Sequence, residues 1–142
     1  MSQFIGTSMP RGFAGDITRG YFDHTVEGRF SDGTVKAFGV PVKLSGDKVA
    51  ATTATADVVY GFAARGYGQA DCEGVQAMGQ IGVLRRGYMA VASEGTPAAG
   101  AQVYLSATGT ITAESSDTTA IPGCTFMGAK DADGLVEIAF NI

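Results

Sequence analysis

An all-β fold is predicted for this chain of 142 residues, on three observations. Glycine occurs 21 times, about twice its average usage of ~7%. With no G-X-Y period, that density marks many tight turns and bulges rather than collagen. The longest glycine-free stretches, 47–60 and 110–122, are crowded with Thr, Ser or Asp, and neither carries apolar residues at helical spacing. A long core helix has no place to form. Third, period-two alternation recurs from Val35 onward.

The strands follow in order. In 36–44, Phe38, Val40, Val42 and Leu44 share one face, opposite Gly39, Pro41 and Lys43. Pro41 cannot donate to a ladder, which predicts an edge strand or a bulge. Val58, Tyr60, Phe62 and Ala64 make a second alternating set, and 86–93 a third, with Met89 and Val91 on one face. Val103-Tyr104-Leu105 runs through 106–109 into Thr110-Ile111-Thr112, a hairpin signal. Residues 125–129 and 135–141 flank a turn whose Asp133-Gly134 pair suits positive φ. In the last strand Val136, Ile138, Phe140 and Ile142 face one way, with Glu137 and Asn141 opposite. About seven short strands with closely spaced turns predict a small β-barrel or β-sandwich, jelly-roll-like.

Residues 1–33 differ from the rest. Phe4, Ile5, Phe13, Ile17, Tyr21 and Phe22 are interrupted by glycines without a sustained period, and Arg11, Arg19 and Arg29 are spread among them. The segment reads as an extended N-terminal arm that gains order by lying on something, with a β domain over 34–142. The same residues could instead supply a first strand and a long loop packed on the domain.

Composition removes several function classes. Ten basic residues against fourteen acidic ones give a net charge of −4. No Lys/Arg block would track a phosphate backbone, so no nucleic-acid partner is expected. No apolar run is of bilayer-spanning length, and the first residues lack a signal peptide's basic and apolar regions. No membrane partner is expected, and a protein made and kept in a cytoplasm is. The charged share is only 17%, below the usual quarter, which suits a surface that meets protein. Cys72 and Cys124 lie far apart with no second thiol or His near either, so both are expected as partly buried core residues, not metal ligands or a disulfide.

The search for chemistry comes back empty. The one histidine, His24, follows Asp23, but no serine sits in a Gly-x-Ser-x-Gly elbow. The spacing Gly61 to Gly66 opens like a P-loop, yet Tyr67 and Gly68 replace the lysine and hydroxyl residue; Gly74 to Gly79 fails similarly. Asp131-Ala132-Asp133-Gly134 opens like a calcium loop without the later ligands, and a hairpin turn explains it. Trp, the usual sugar-stacking residue, is absent. No catalytic residue, cofactor or metal is assigned, and no enzymatic activity is expected.

Three stretches carry a family likeness: 38–44 (Phe-Gly-Val-Pro-Val-Lys-Leu), 59–65 (Val-Tyr-Gly-Phe-Ala-Ala-Arg) and 83–91 (Val-Leu-Arg-Arg-Gly-Tyr-Met-Ala-Val). With Ala101 to Leu105 and Gly109 at their spacing, the chain resembles the structural cement, or head decoration, proteins of tailed bacteriophages over residues 9–142. The motifs are structural rather than catalytic. The resemblance implies a β fold on the outer face of a capsid, assembled in the host cytoplasm, that braces joints between major capsid proteins. It also implies a homo-oligomer, expected as a dimer or trimer, with terminal extensions reaching neighbouring subunits. Within the arm, Arg11, Phe13, Arg19, Tyr21 and Phe22 are the candidate capsid contacts, the aromatics filling pockets and the arginines acting as forked donors. A tail or baseplate accessory role and a carbohydrate-binding β domain on the virion are the alternatives.

Overall fold

Residues 13–19, 24–65 and 79–142 are described by the computed structural model of the chain, and they form strands with no helix. In chain order these are β1 (Thr25–Phe30), β2 (Pro41–Ser45), β3 (Lys48–Ala51), β4 (Gly61–Ala64), β5 (Gln80–Ala92), β6 (Gln102–Leu105), β7 (Ile111–Thr112), β8 (Thr119–Phe126) and β9 (Leu135–Phe140). All strand pairs are antiparallel, in the order β3-β2-β4-β5-β9-β8-β6-β7, with β1 on β5 as a branch.

The 13-residue strand β5 organises everything else. Its first half pairs with β1 and β4, and its second half, Gly87 to Ala92, pairs with β9. Gly87 stands where the partners change, at φ 141°, a backbone region that a Cβ disfavours. Each half-sheet then curls back on itself. On one side Ser31 bridges Val49, with the Asp32 amide donating to the Val49 carbonyl at 3.0 Å. On the other, Glu94 bridges Thr112, and its amide donates to the Ile111 carbonyl at 3.1 Å.

Two cores fill the two curls. Val35, Phe38, Val42, Val49, Ala63, Ile81 and Val83 make the smaller one. The larger holds Met89, Val91, Leu105, Phe126, Val136, Ile138 and Phe140, together with Phe62, Ala64 and Leu84. Successive residues of a strand point to opposite faces, so β4 and the first half of β5 feed both cores at once. All four residues of β4 are accordingly buried. Phe62 meets Phe140 edge to face, ring centroids 5.2 Å apart, a favoured aromatic geometry. A second tie joins the halves: the buried Thr52 hydroxyl donates to the Gly109 carbonyl at 2.9 Å. Gly109, at φ 83°, lies so close that a Cβ there would stand 1.9 Å from the Thr52 oxygen.

The structure is all-β, as the sequence predicts, in the form of a curled antiparallel sheet. The 103–112 hairpin forms as β6 and β7. The strand with Pro41 is neither at an edge nor bulged: β2 lies between β3 and β4, and the proline is accommodated because it opens the strand. Gly61 begins a strand rather than cradling a phosphate. The 131–134 turn is closed by the Asp131 carboxylate, which accepts the amides of Asp133 and Leu135 at 2.9 and 3.0 Å. Cys124 is fully buried and free, its thiol pushed well above the usual range by desolvation; Cys72 lies outside the described residues. Three side-chain directions differ from the alternation. Leu44 and Val58 are exposed at 45% and 82%, because β2 is running out at Leu44 and β4 has not begun at Val58. Ile142 is exposed because Asn141 turns to φ 56°, held by its amide on the Gly123 carbonyl, so the alternation stops at Phe140.

Ile138 and Ile142 therefore separate cleanly under substitution. Ile138→Asp puts a charge into the larger core and is expected to cost about 4 kcal/mol or more. Ile142→Asp is expected to stay within about 0.5 kcal/mol of the parent. Urea unfolding of both variants measures the contrast.

Candidate functional site

Two clusters of side chains stand out on the surface. The first is built on residues 13–19. Gly15 crosses Gly39 so closely that a Cβ on Gly15 would lie 2.5 Å from the Phe38 Cβ. That approach lets the backbone of 15–18 run as a short extra strand along the edge of β5 opposite β9. The Gly15 amide donates to the Ala90 carbonyl at 2.8 Å, the Ala90 amide to Asp16 at 3.0 Å, and the Thr18 amide to Tyr88 at 3.1 Å. Ile17 bridges Met89, and the Arg65 amide returns to the Gly15 carbonyl at 2.8 Å.

Side chains complete the clamp. Glu137 of β9 accepts both forks of Arg19 at 3.1 Å and the Thr18 hydroxyl at 2.5 Å, while the Arg19 guanidinium stacks 4.2 Å over the Tyr88 ring. Arg65 donates to Asp16 at 3.0 Å and lies 4.3 Å over the Phe13 ring. Phe13 itself is 59% exposed.

The five residues singled out in the arm thus have different surroundings. Arg19 has its fork on Glu137, and Phe13 offers one ring face to solvent with Arg65 on the other. Arg11, Tyr21 and Phe22 lie outside the described residues. Of the segment 1–33, the described parts belong to the sheet: 15–18 along β5, and β1 paired with β5 over its whole length. Each gives the sheet backbone bonds that an arm detached from the body would not make.

The second cluster is one that sequence reasoning missed. The Tyr60 hydroxyl donates to the Glu27 carboxylate at 2.7 Å, and Arg29 donates both to Glu27 and, at 3.2 Å, to the Tyr60 oxygen. Arg85 stacks 3.7 Å over the Tyr60 ring and donates to its carbonyl. The Tyr60 hydrogen bond first, and then that of Arg29, holds the Glu27 carboxyl below its ordinary range. Beside it is an open depression of about 520 Å³, walled by Lys43, Leu44, Asp57, Val58, Tyr60 and Arg85. Asp57 is also held below its ordinary range, chiefly by the Thr53 amide and also by Lys43. The only sequence signal was the Glu27-x-Arg29 pair, which places both on one face if 25–30 is a strand.

Among the described residues no three His, Cys, Asp or Glu side chains gather as a metal site. The geometry is that of an all-β body whose described surface carries a clamped segment and single exposed apolar side chains. A family model for the structural cement protein (E217 gp24/Pam3 gp6) matches residues 1–141, and the chain belongs to that phage cement family. Membership gives it a structural, capsid-stabilising role in the virion. In fold it is similar to a chain in the structure of the capsid of Myoviridae phage XM1, with a TM-score of 0.73 and 17% identity, covering 96% of this chain and 94% of that one. No curated protein matches.

The clamp and the Tyr60 cluster each give a test. Glu137→Ala removes the acceptor of Arg19 and Thr18, so hydrogen exchange at the Gly15 and Thr18 amides is expected to rise at least about tenfold relative to those of β8. Glu27 and Asp57 have lowered folded-state values, so their contribution is present above the unfolded values of 4.5 and 3.8 and lost as pH falls through the folded ones. The melting temperature is expected to fall as the pH drops below about 4.5, and to fall less in Asp57→Asn. Thermal scans across that range check it.

Proposed function

We propose that the protein binds the outer face of an assembled phage capsid, bridges neighbouring major capsid proteins, acts without enzymatic chemistry, and does so as a homo-oligomer. The observation that carries this reading is Phe13, an aromatic ring 59% exposed yet fixed in place by Arg65 at the head of a clamped segment. A ring that already rests on a guanidinium loses less freedom on docking than one without a contact, which favours its use as an anchor. Residues 1–12 continue from that point, and an extended chain of twelve residues reaches at most about 40 Å. Arg11 stands two residues before Phe13, within reach of the same partner surface, and Tyr21 and Phe22 follow the clamp directly. Arg19 serves by holding the segment in register through Glu137.

Capsid stabilisation needs no active site. A protein that binds the closed lattice better than free capsid subunits stabilises the shell by mass action. Many identical copies, each with a modest contact, add up through multivalency.

Removing residues 1–13 tests the assignment, since it takes away Arg11 and Phe13 while leaving the Gly15, Asp16 and Thr18 backbone bonds to β5 and the whole of β1 in place. The shortened chain is expected to melt within a few degrees of the parent but to occupy capsids stripped of their own cement at least about tenfold more weakly. Co-sedimentation with particles, read against the full chain, decides it. Full occupancy by the shortened chain would move the contact onto the body.

A further inference from the structure

The depression beside Tyr60 is used neither by the clamp nor by the two cores, and its charges are paired unevenly. Lys43 donates to Asp57 at 3.1 Å, and Arg29 is bound to Glu27. Arg85 is then the one cation of the cluster with no carboxylate on it among the described residues. Its guanidinium rests 3.7 Å over the Tyr60 ring and gives one hydrogen bond, to the Tyr60 carbonyl, out of the five N–H donors an arginine carries. Among the described residues the only buried side-chain nitrogen or oxygen without a partner is Arg65 Nε, so the donors that Arg85 does not use face solvent. In the same wall stand two exposed apolar side chains, Leu44 and Val58.

We propose that this depression is a second capsid-binding surface, receiving a segment of capsid protein that carries an Asp or Glu carboxylate next to an apolar side chain. The carboxylate meets Arg85, whose planar fork donates to both of its oxygens. The apolar side chain packs against Leu44 and Val58. The way Arg85 is held favours this pairing. A guanidinium already stacked on a ring and bonded to a carbonyl gives up less freedom on binding than an unsupported one. Tyr60 is itself fixed, its hydroxyl donating to Glu27 at 2.7 Å, so the floor under Arg85 is built in advance. A guanidinium is weakly hydrated and costs less to cover than an ammonium. Covering it with apolar side chains lowers the local dielectric and strengthens its attraction for the carboxylate. The same features select against charged polymers. A polynucleotide needs a row of cations along its backbone; here it would meet one unpaired guanidinium between apolar side chains, on a chain of net charge −4.

This inference rests on the capsid binding proposed above and adds a contact to it. The test uses the full chain and particles stripped of their own cement, with occupancy read by co-sedimentation over a salt series. Val58→Glu lies at a position 82% exposed, so the fold is kept, and it sets a carboxylate against the incoming one. Its affinity is expected to drop at least about tenfold. Arg85→Gln removes the cation; it is expected to weaken binding by a similar factor and to flatten the salt dependence. Val58→Leu keeps the wall apolar and is expected to bind as the parent does. Melting curves separate a lost contact from a lost fold, and Val58→Glu carries the test if Arg85→Gln unfolds. A parent that does not bind the particles would overturn capsid binding itself. A binding parent whose folded Val58→Glu or Arg85→Gln variant binds equally well would overturn this surface alone. So would parental binding that is abolished by nuclease or glycosidase treatment of the particles, since the ligand would then be a nucleic acid or a glycan.

Discussion

The fold depends on one strand serving two sheets. β5 gives its first half to β1 and β4 and its second half to β9, and the side chains of its first half point alternately into two different cores. This is why a chain with no helix among its described residues can bury so much on both faces of its central strands. A single flat sheet of this length would leave one face in water; curling each half and sharing the strand between them covers both. Gly87 sets the place where the change of partner happens, and Phe62 against Phe140 and Thr52 against Gly109 hold the two halves to each other.

How legible this was in the sequence depends on whether alternation survived locally. β9 showed itself because Glu137 is the one half-exposed residue between buried neighbours, in a strand apolar on both sides of it. The first half of β5 did not, because Ile81, Val83 and Leu84 are all buried, and a strand covered on both faces has no polar face to mark its period. β1 was hidden for the opposite reason. Its charged face meets Tyr60 and its apolar face stays exposed, so the pattern gives no inward direction. Ile142 failed on a backbone fact, the positive φ of Asn141, which nothing short of the Gly123 contact specifies.

The candidate site was legible in the same uneven way. Aromatic and arginine residues in 1–33 marked the segment as one that contacts something, and Phe13 stands exposed where that reading needs it. The partner of Arg19, Glu137, is 118 positions away and could not be read from local pattern. Gly15 and Gly39 were visible only as two glycines among many, although their mutual crossing is what lays 15–18 along β5. Long-range contacts of this kind decide which exposed groups are available to a partner, and composition cannot see them.

The position of β9 has a consequence for how copies of the protein are made. It lies between β5 and β8, in the middle of the sheet, although both of those strands precede it in the chain. Until residues 135–140 have been synthesised, two long strands wait with open edges and the larger core lacks Val136, Ile138 and Phe140. Folding of such distant pairs is slow, and it is deferred until translation has almost passed through the domain. A product interrupted before residue 135 therefore lacks Val136, Ile138 and Phe140 from its larger core, and that half of the sheet is left with β5 and β8 unjoined.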